Sequence, residues 1–158
     1  MPRRRLKLSK SEVAARTPLG ALVGCPFHEL RMKFAQAGLR PTRPRLSLGL
    51  LLFSRGCRHL TAEGLQEEAQ ASRVPVSLAT IYNNLHQFTD AGLLREVAVD
   101  GTRTYFDTNT ARHHHFLVDG ALVDIPEIVI DQLKLPPPPQ GKAVAAVDIV
   151  VRLRDAAI

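Results

Sequence analysis

The 158-residue chain has no tryptophan and two cysteines, and none of its apolar runs approaches the roughly 20 residues needed to span a bilayer. A soluble protein with no membrane partner is therefore expected. Cys25 and Cys57 both lie in the first half, and the second half offers no cysteine for either to bridge towards, which favours a reduced, cytoplasmic compartment. The first ten residues are basic but lack the apolar core and cleavage site of a secretion signal, so export is not expected.

The sequence also lacks the short motifs that carry common enzyme chemistry. It contains no His-Glu-x-x-His, no glycine-rich phosphate loop and no recognisable Ser/His/Asp or Cys/His constellation. A metallohydrolase or redox enzyme that uses the histidines is the catalytic alternative, and little in the sequence supports it. We therefore expect a binding protein rather than an enzyme.

Charge is distributed unevenly along the chain. Residues 1–60 carry thirteen Lys and Arg against two acids, and residues 61–158 carry eight against thirteen, within a net charge of +6. A basic front half with an acidic back half fits a protein that grips a polyanion at one end. The alternative is a solvated basic tail with ordinary surface charge elsewhere.

The patterns of residues 1–108 predict a flexible arm followed by a winged-helix domain. Residues 1–20 are basic and show no sustained period, so they are interpreted as the arm. Residues 21–108 carry four helical patterns and then two strand patterns joined by Asp100-Gly101, a strong hairpin signal. This order is typical of a winged helix-turn-helix domain whose fourth helix reads DNA.

Particular residues mark where these helices begin and end. The predicted N-caps are Thr42, Thr61 and Ser77. The helical patterns end at Gly38, at Gly56, before Pro75 and at Gly92. In the second helix the predicted apolar stripe consists of Leu46, Leu50 and Phe53.

Residues 109–158 are predicted to form a small β-rich α/β domain for dimerisation and ligand sensing. Two strands flank an Asp119-Gly120 turn, a helix is expected over 126–133, and a last strand over 144–153 follows the prolines of 136–139. Such a module cannot cover both faces of a three-stranded sheet, so pairing with a second copy would complete its core. The predicted fold is thus α+β and the predicted assembly a homodimer, or a higher oligomer.

Two groups of residues are candidates for contact with double-stranded operator DNA. The phosphate-contacting candidates are Arg40, Arg43, Arg45 and Arg103. The polar face of the fourth helix supplies base-reading candidates, among which Asn83 can pair bidentately with adenine and Tyr82 can pack on thymine methyls. Thr80, Asn84 and Gln87 complete the predicted face, and Ser77, which caps the helix, is a further DNA-binding candidate. The alternative is an ordinary solvent-facing side of a helix.

The run His113-His114-His115 is the clearest chemical signal in the chain. On a strand, His113 and His115 share one face and can converge on a metal or haem iron, while His114 points the other way. His59 and Asp107 flank the junction of the two modules and are further candidate ligands. A cation with ligands from both modules would fix their relative angle and act as a two-state switch.

Cys25-Pro26 lies immediately before the first helix. A cysteine thiolate there is an eligible axial ligand for ferric haem. Considered alone, the dipeptide is weak evidence, and an ordinary buried or surface cysteine is the alternative.

Taken together, these segments resemble the ferric uptake regulator superfamily, and within it the iron response regulator subfamily. The residues that carry the resemblance are Gly38-Leu-Arg-Pro-Thr-Arg-Pro-Arg45, His59-Leu-Thr-Ala-Glu63, Val76-Ser-Leu-Ala-Thr-Ile-Tyr-Asn83, Ala91-Gly-Leu-Leu94, Thr104-Tyr-Phe-Asp107 and the triple histidine. The resemblance implies a regulator of iron-uptake and haem-synthesis genes that binds its operator as a dimer. It also implies haem as the signal that lowers DNA affinity, and haem or a haem-delivering protein as a partner.

The resemblance assigns ligands to two kinds of site. The implied haem ligands are Cys25, within Gly24-Cys25-Pro26, and the histidine run His113, His114 and His115. The implied regulatory metal ligands are His59, Asp107 and His115, with His113 or His114 adjacent and an acid such as Glu127. No Cys-x-x-Cys follows the histidines, so the structural zinc of many relatives is not expected. Asn83 stands where an arginine often follows the tyrosine, which implies a different operator preference.

The same residues are compatible with two alternatives to haem regulation. In the first, Fe²⁺, Mn²⁺ or Zn²⁺ bound at the histidines tightens operator binding, which is the opposite sign of response. In the second, the chain is a haem carrier that binds nucleic acid weakly, with steep salt dependence and no sequence preference.

Overall fold

The computed structural model describes residues 26–101, 103–125 and 135–155. Within these residues the chain is a mixed α+β protein, and the predicted α+β class is confirmed. The elements, in chain order, are α1 (Pro26–Gln36), α2 (Arg43–Phe53), β1 (His59–Leu60), α3 (Ala62–Ala71), α4 (Leu78–Asp90), β2 (Arg95–Asp100), β3 (Arg103–Asp107), β4 (His114–Val118), β5 (Ala121–Ile125) and β6 (Val150–Arg152). None of the helices in these ranges has the length and apolar character needed to cross a membrane.

Side-chain caps begin α3 and α4, as the sequence predicts for Thr61 and Ser77. The Thr61 hydroxyl accepts a hydrogen bond from the Gly64 N–H at 3.1 Å, and the Ser77 hydroxyl accepts one from Thr80 at 3.2 Å. Thr42 precedes α2 without a side-chain cap, and α2 ends at Phe53, three residues before Gly56. Gly92 follows α4 at φ +69°, a conformation that glycine adopts without steric cost.

The four helices pack around one apolar core. The side chains that are fully buried there include Leu30, Phe34, Leu48, Leu52, Leu65, Ile81, Leu85, Phe88 and Phe106. The rings of Phe34 and Phe88 stack with centroids 5.2 Å apart. Leu46 and Phe53 of the predicted stripe are buried in this core and Leu50 packs against it, while Leu48 and Leu52, outside the stripe, are buried completely. The buried face of α2 is therefore wider than the predicted stripe, because α2 is apolar around most of its circumference.

Two three-stranded sheets complete the described structure. The first has the order β1-β3-β2 and is antiparallel, with the Asp100-Gly101 turn joining β2 to β3 as predicted. The second has the order β5-β4-β6, in which β4 pairs antiparallel with β5 and parallel with β6. The sheets meet through a small apolar cluster of Val97, Tyr105 and Leu122. This contact brings the ends of β1 and β3 beside β4 and β5.

Several predictions fall on residues outside the described ranges. These are the arm over 1–20, the cysteine Cys25, the helix over 126–133 and the acid Glu127. The last predicted strand, 144–153, is regular only over Val150–Arg152. Residues 142–149 lead into β6 without regular structure.

Candidate metal centre

Strand register and side-chain alternation bring five ionisable side chains to one point between the sheets. The residues are His59 in β1, Asp107 in β3, His113 just before β4, His115 in β4 and Asp124 in β5. His59 is the register partner of Asp107, and His115 is the register partner of Asp124. His113 and His115 lie on the same side because alternate strand residues share a face.

The ligand atoms of these five side chains form a compact group in which every pair lies within 4.8 Å. The Nε2 atom of His113 lies 2.9 Å from Asp107 Oδ2, and the Nε2 atoms of His59 and His115 each lie 3.4 Å from the same oxygen. Asp124 Oδ1 lies 2.9 Å from His59 Nε2 and 3.2 Å from His113 Nε2. Two carboxylates therefore face three imidazoles around a common centre.

The cluster is largely buried, although the side chain of Asp124 is 33% exposed, and its charges depend strongly on one another. The side chains of Asp107 and His115 are 0% and 1% exposed. Burial lowers the pKa of His59, but the adjacent carboxylates of Asp107 and Asp124 outweigh burial and raise it to about 9. Burial acts to raise the pKa of Asp107, yet the neighbouring His115 and His59 hold it well below its usual range. The metal-free cluster therefore keeps a proton on His59 at neutral pH.

Hydrogen bonds at the periphery orient the ligand atoms inwards. The Nδ1–H of His113 donates to the Ala111 carbonyl at 2.7 Å, so Nε2 presents its lone pair to the centre. Asp107 Oδ1 accepts the Asn109 N–H at 2.7 Å, which leaves Oδ2 for the centre. Lone pairs of nitrogen and oxygen that face one another in a buried space repel unless a proton or a cation lies between them.

The fit to a metal ion rests on unsatisfied buried atoms. The Nε2 atoms of His59 and His113 and the Oδ1 atom of Asp124 are buried and have no hydrogen-bond partner of normal geometry. A set of imidazole nitrogens and carboxylate oxygens is suited to divalent Fe, Mn or Zn. His59, Asp107, His113, His115 and Asp124 would hold such an ion, which would supply positive charge to the two carboxylates.

Four of the five cluster residues are predicted from the sequence, and Asp124 is not. The sequence nevertheless carries a signal for Asp124. β4 and β5 form a hairpin, and in its register the third residue after Ala121, which is Asp124, lies opposite His115. His114 lies on the other side of β4, where its Nδ1 atom accepts the Ile149 N–H at 3.3 Å. The structure therefore places His114 apart from the cluster.

Arg95 holds the segment that carries His113. Its guanidinium donates to the carbonyls of Ala111 and His113 at 3.3 and 3.2 Å and forms an ion pair with Asp148. Ala111 thus accepts from both Arg95 and the imidazole of His113. Arg95 in β2 and Asp148 ahead of β6 consequently link both sheets to the position of one candidate ligand.

The DNA-binding candidates lie on α4 and around it. Asn83 is exposed and Tyr82 is 36% exposed, with the Tyr82 hydroxyl donating to Glu63 at 2.7 Å. Ser77 and Thr80 hydrogen-bond to each other at the start of α4. The exposed arginine candidates are Arg40 and Arg43 near α2 and Arg103 on β3. The guanidinium of Arg45 instead contacts the side chain of Gln87 in α4 and the carbonyl of Arg40.

Fold and site together define a mixed α+β protein with a buried histidine–aspartate cluster fit for a divalent transition metal, placed between two small sheets. Residues 36–139, about two thirds of the chain, match the family described as "Ferric uptake regulator family". The chain belongs to this family.

Individual relatives agree with that assignment. The chain is 34% identical over 99 residues to the ferric uptake regulation protein of Vibrio cholerae, a match that covers 61% of this chain and 66% of that protein. It is 35% identical over 102 residues to the peroxide-responsive repressor PerR of Staphylococcus aureus, over 61% of this chain and 68% of the relative.

Solved structures show the same fold. The ferric uptake regulator of Vibrio cholerae is 25% identical with a TM-score of 0.64, over 79% of this chain and 98% of that one. The ferric uptake regulator of Pseudomonas aeruginosa, solved with manganese, is 24% identical with a TM-score of 0.63, over 81% of this chain and 98% of that one.

Proposed function

We propose that this protein is a DNA-binding transcription regulator whose affinity for its operator rises when a divalent metal occupies the cluster of His59, Asp107, His113, His115 and Asp124. The observation that carries the proposal is the origin of the ligands: β1 and β3 belong to the first sheet, and β4 and β5 belong to the second. An ion held by these residues would link the first sheet to the second. The names of the relatives, which include a ferric uptake regulator solved with manganese, support a response to metal.

The helical part of the chain supplies the proposed DNA-binding surface. α1 to α4 and the β2–β3 hairpin have the order of a winged helix-turn-helix domain, in which α4 enters the major groove. Arg40, Arg43 and Arg103 are exposed and would contact phosphates. A second copy of the chain, paired through the β4–β6 sheet, would present a second α4 about one helical turn of DNA away.

Bound metal would control DNA binding by fixing the angle between the first and second sheets. Without the ion, three imidazoles and two carboxylates face one another at a few ångströms in a largely buried space. Coordination by residues of both sheets would hold the first sheet against the second at one angle. α4 packs with the first sheet, and two copies of the chain would pair through their second sheets. The angle between the sheets therefore sets the separation of the two recognition helices.

Haem regulation of the iron response regulator type is the second candidate, and the Gly24-Cys25-Pro26 segment is the observation that favours it. The cluster itself favours a metal ion over haem. The side chains of His113 and His115 are 9% and 1% exposed, and their Nε2 atoms face carboxylates at 2.9 to 3.8 Å. A porphyrin would reach these nitrogens only after the sheets had separated.

Selection from a random-sequence DNA duplex library by the full-length protein separates the candidates. The selection is run with EDTA, with Mn²⁺ and with hemin, and the affinity for enriched duplexes is then measured in each condition. We expect enrichment with Mn²⁺ and a loss of affinity of at least about tenfold with EDTA. Weaker binding with hemin and no effect of Mn²⁺ would favour the haem candidate, and no enrichment in any condition would exclude both.

Two variants link the response to the cluster. His115→Ala is expected to abolish the effect of Mn²⁺ on DNA affinity, because it removes one of the two most deeply buried candidate ligands. The matched control is His28→Ala, since His28 is an exposed histidine of α1 outside the cluster. Equal Mn²⁺ responses of these two variants would show that the cluster is not the regulatory site.

A further inference from the structure

The polar face of α4 is organised by a contact from another helix. The guanidinium of Arg45, near the start of α2, donates to the side-chain Oε1 of Gln87. One turn earlier in α4, Asn83 Oδ1 accepts a hydrogen bond of 3.1 Å from Gln87 Nε2. Gln87 is half-buried, whereas Asn83 is exposed.

Chemistry alone determines which way the two amides face. A guanidinium has donors and no acceptor, so the Gln87 atom that faces Arg45 must be the oxygen. The Gln87 nitrogen then faces Asn83, and the Asn83 atom that faces Gln87 must also be oxygen. The Asn83 amide is thereby left with its nitrogen, which carries two N–H donors, on the open side. Positions four apart on a helix are neighbours, which suits this pair.

The neighbouring polar groups of α4 are engaged elsewhere. Asn84, predicted to lie on the polar face, is instead buried and donates to the Thr80 carbonyl at 2.8 Å. The Tyr82 hydroxyl donates to Glu63. Among the described residues of α4, Asn83 is therefore the exposed amide whose orientation is fixed by the body of the protein.

We propose that Arg45 and Gln87 form a relay that determines base specificity: Gln87 positions the Asn83 amide so that its nitrogen faces the base, and Asn83 selects guanine. Guanine presents two adjacent acceptors, N7 and O6, in the major groove. A bidentate contact to adenine, expected from the sequence, would need the Asn83 oxygen to accept from the adenine amino group. The relay directs that oxygen to Gln87. This inference rests on the proposed function, since it requires α4 to enter the major groove.

Replacing Gln87 by glutamate tests the relay by reversing the amide. The carboxylate introduced by Gln87→Glu still accepts from Arg45 but can no longer donate, so the Asn83 nitrogen should turn towards it and the Asn83 oxygen towards the DNA. An outward oxygen accepts from an exocyclic amino group, which cytosine and adenine present. Gln87→Met removes both hydrogen bonds and should weaken the preference without reversing it.

The measurement is selection from a random-sequence duplex library with Mn²⁺, for the full-length wild type and each variant. The position read by Asn83 is the one whose preference Asn83→Ala abolishes. There the wild type should favour guanine, and Gln87→Glu should favour cytosine or adenine, with the ratio of the two preferences changing by about tenfold or more. The added negative charge should weaken binding to all sequences alike, which separates it from a change of preference at one position. Unfolding temperatures confirm that each variant is folded.

Failure of the relay and failure of the proposed function give different results. If wild type enriches no sequence, the protein does not read DNA and both ideas fall. If wild type enriches a site but Gln87→Glu retains the same base at the Asn83-dependent position, the relay is wrong while the proposed function stands. If Asn83→Ala leaves every position of the enriched site unchanged, Asn83 is not a reading residue and the relay is equally wrong.

Discussion

Raising the pH should affect the metal-free protein and its affinity for metal in opposite directions, because one proton on His59 governs both. In the folded, metal-free protein the pKa of His59 is raised to about 9 by Asp107 and Asp124. In the unfolded chain it returns to about 6.5. Protonated His59 therefore stabilises the fold fully below pH 6.5, and the stabilisation is lost as the pH rises towards 9.

The expected magnitude follows from the size of the shift. A difference of one pKa unit corresponds to about 1.4 kcal/mol, so His59 contributes about 3 kcal/mol at pH 6 that is absent above pH 9. For metal binding the sign is reversed, because the ion must displace the same proton. Apparent Mn²⁺ affinity should rise about tenfold per pH unit between pH 7 and 9.

Urea denaturation in EDTA between pH 6 and 9.5, and calorimetric Mn²⁺ titration over the same range, measure the two effects. At pH 7 calorimetry in buffers of different ionisation enthalpy should show about one proton released per ion. His59→Ala should flatten both pH profiles, and His28→Ala should leave them unchanged. Metal-free stability that rises between pH 6.5 and 9, or Mn²⁺ binding without proton release, would refute the reasoning.

Three further perturbations follow from the structure. Asp124→Asn should weaken Mn²⁺ binding by at least about tenfold in the same titration, because a neutral amide replaces a carboxylate at the centre; unchanged affinity would remove Asp124 from the ligand set. Asp148→Ala should weaken Mn²⁺ binding by up to about tenfold, because it releases Arg95. Asp155 is another exposed acid near the end of the described chain, and Asp155→Ala should leave the Mn²⁺ affinity unchanged. Gly49→Ala should lower the free energy of unfolding by about 1–3 kcal/mol, since the new Cβ would lie 2.7 Å from Phe34 Cζ; urea denaturation without a change in midpoint would contradict this.

Local signals in the sequence predicted most of the fold. Thr61 and Ser77 act through hydrogen bonds to residues three positions ahead, and Asp100-Gly101 forms a turn within one hairpin. Such interactions span few residues, so their pattern is visible in the chain. The buried face of α2 was less predictable, because a helix apolar on most sides is oriented by its neighbours, here Phe34 and the other helices.

The candidate site likewise contains residues that a local pattern predicts and residues that only the folded chain brings together. His113 and His115 share a face by alternation alone, which the sequence predicts. Asp124 joins them only through the register of β4 with β5, and that register depends on the length of the turn between them. Arg45 was predicted to contact phosphate, and whether it does so remains a prediction. Its contact with Gln87 joins residues 42 positions apart and is invisible to any local pattern.

The composition of the contact between the two sheets affects the stability that is expected of the purified protein. In the described residues the apolar packing there centres on Val97, Tyr105 and Leu122, and the ionisable side chains of His59, Asp107, His113, His115 and Asp124 lie beside it. An apolar interface would be insensitive to the solution around it, whereas an interface that includes such groups is expected to respond to pH and to chelators. Samples of one preparation, purified with and without a chelating step, should therefore behave as two populations that differ in resistance to proteases.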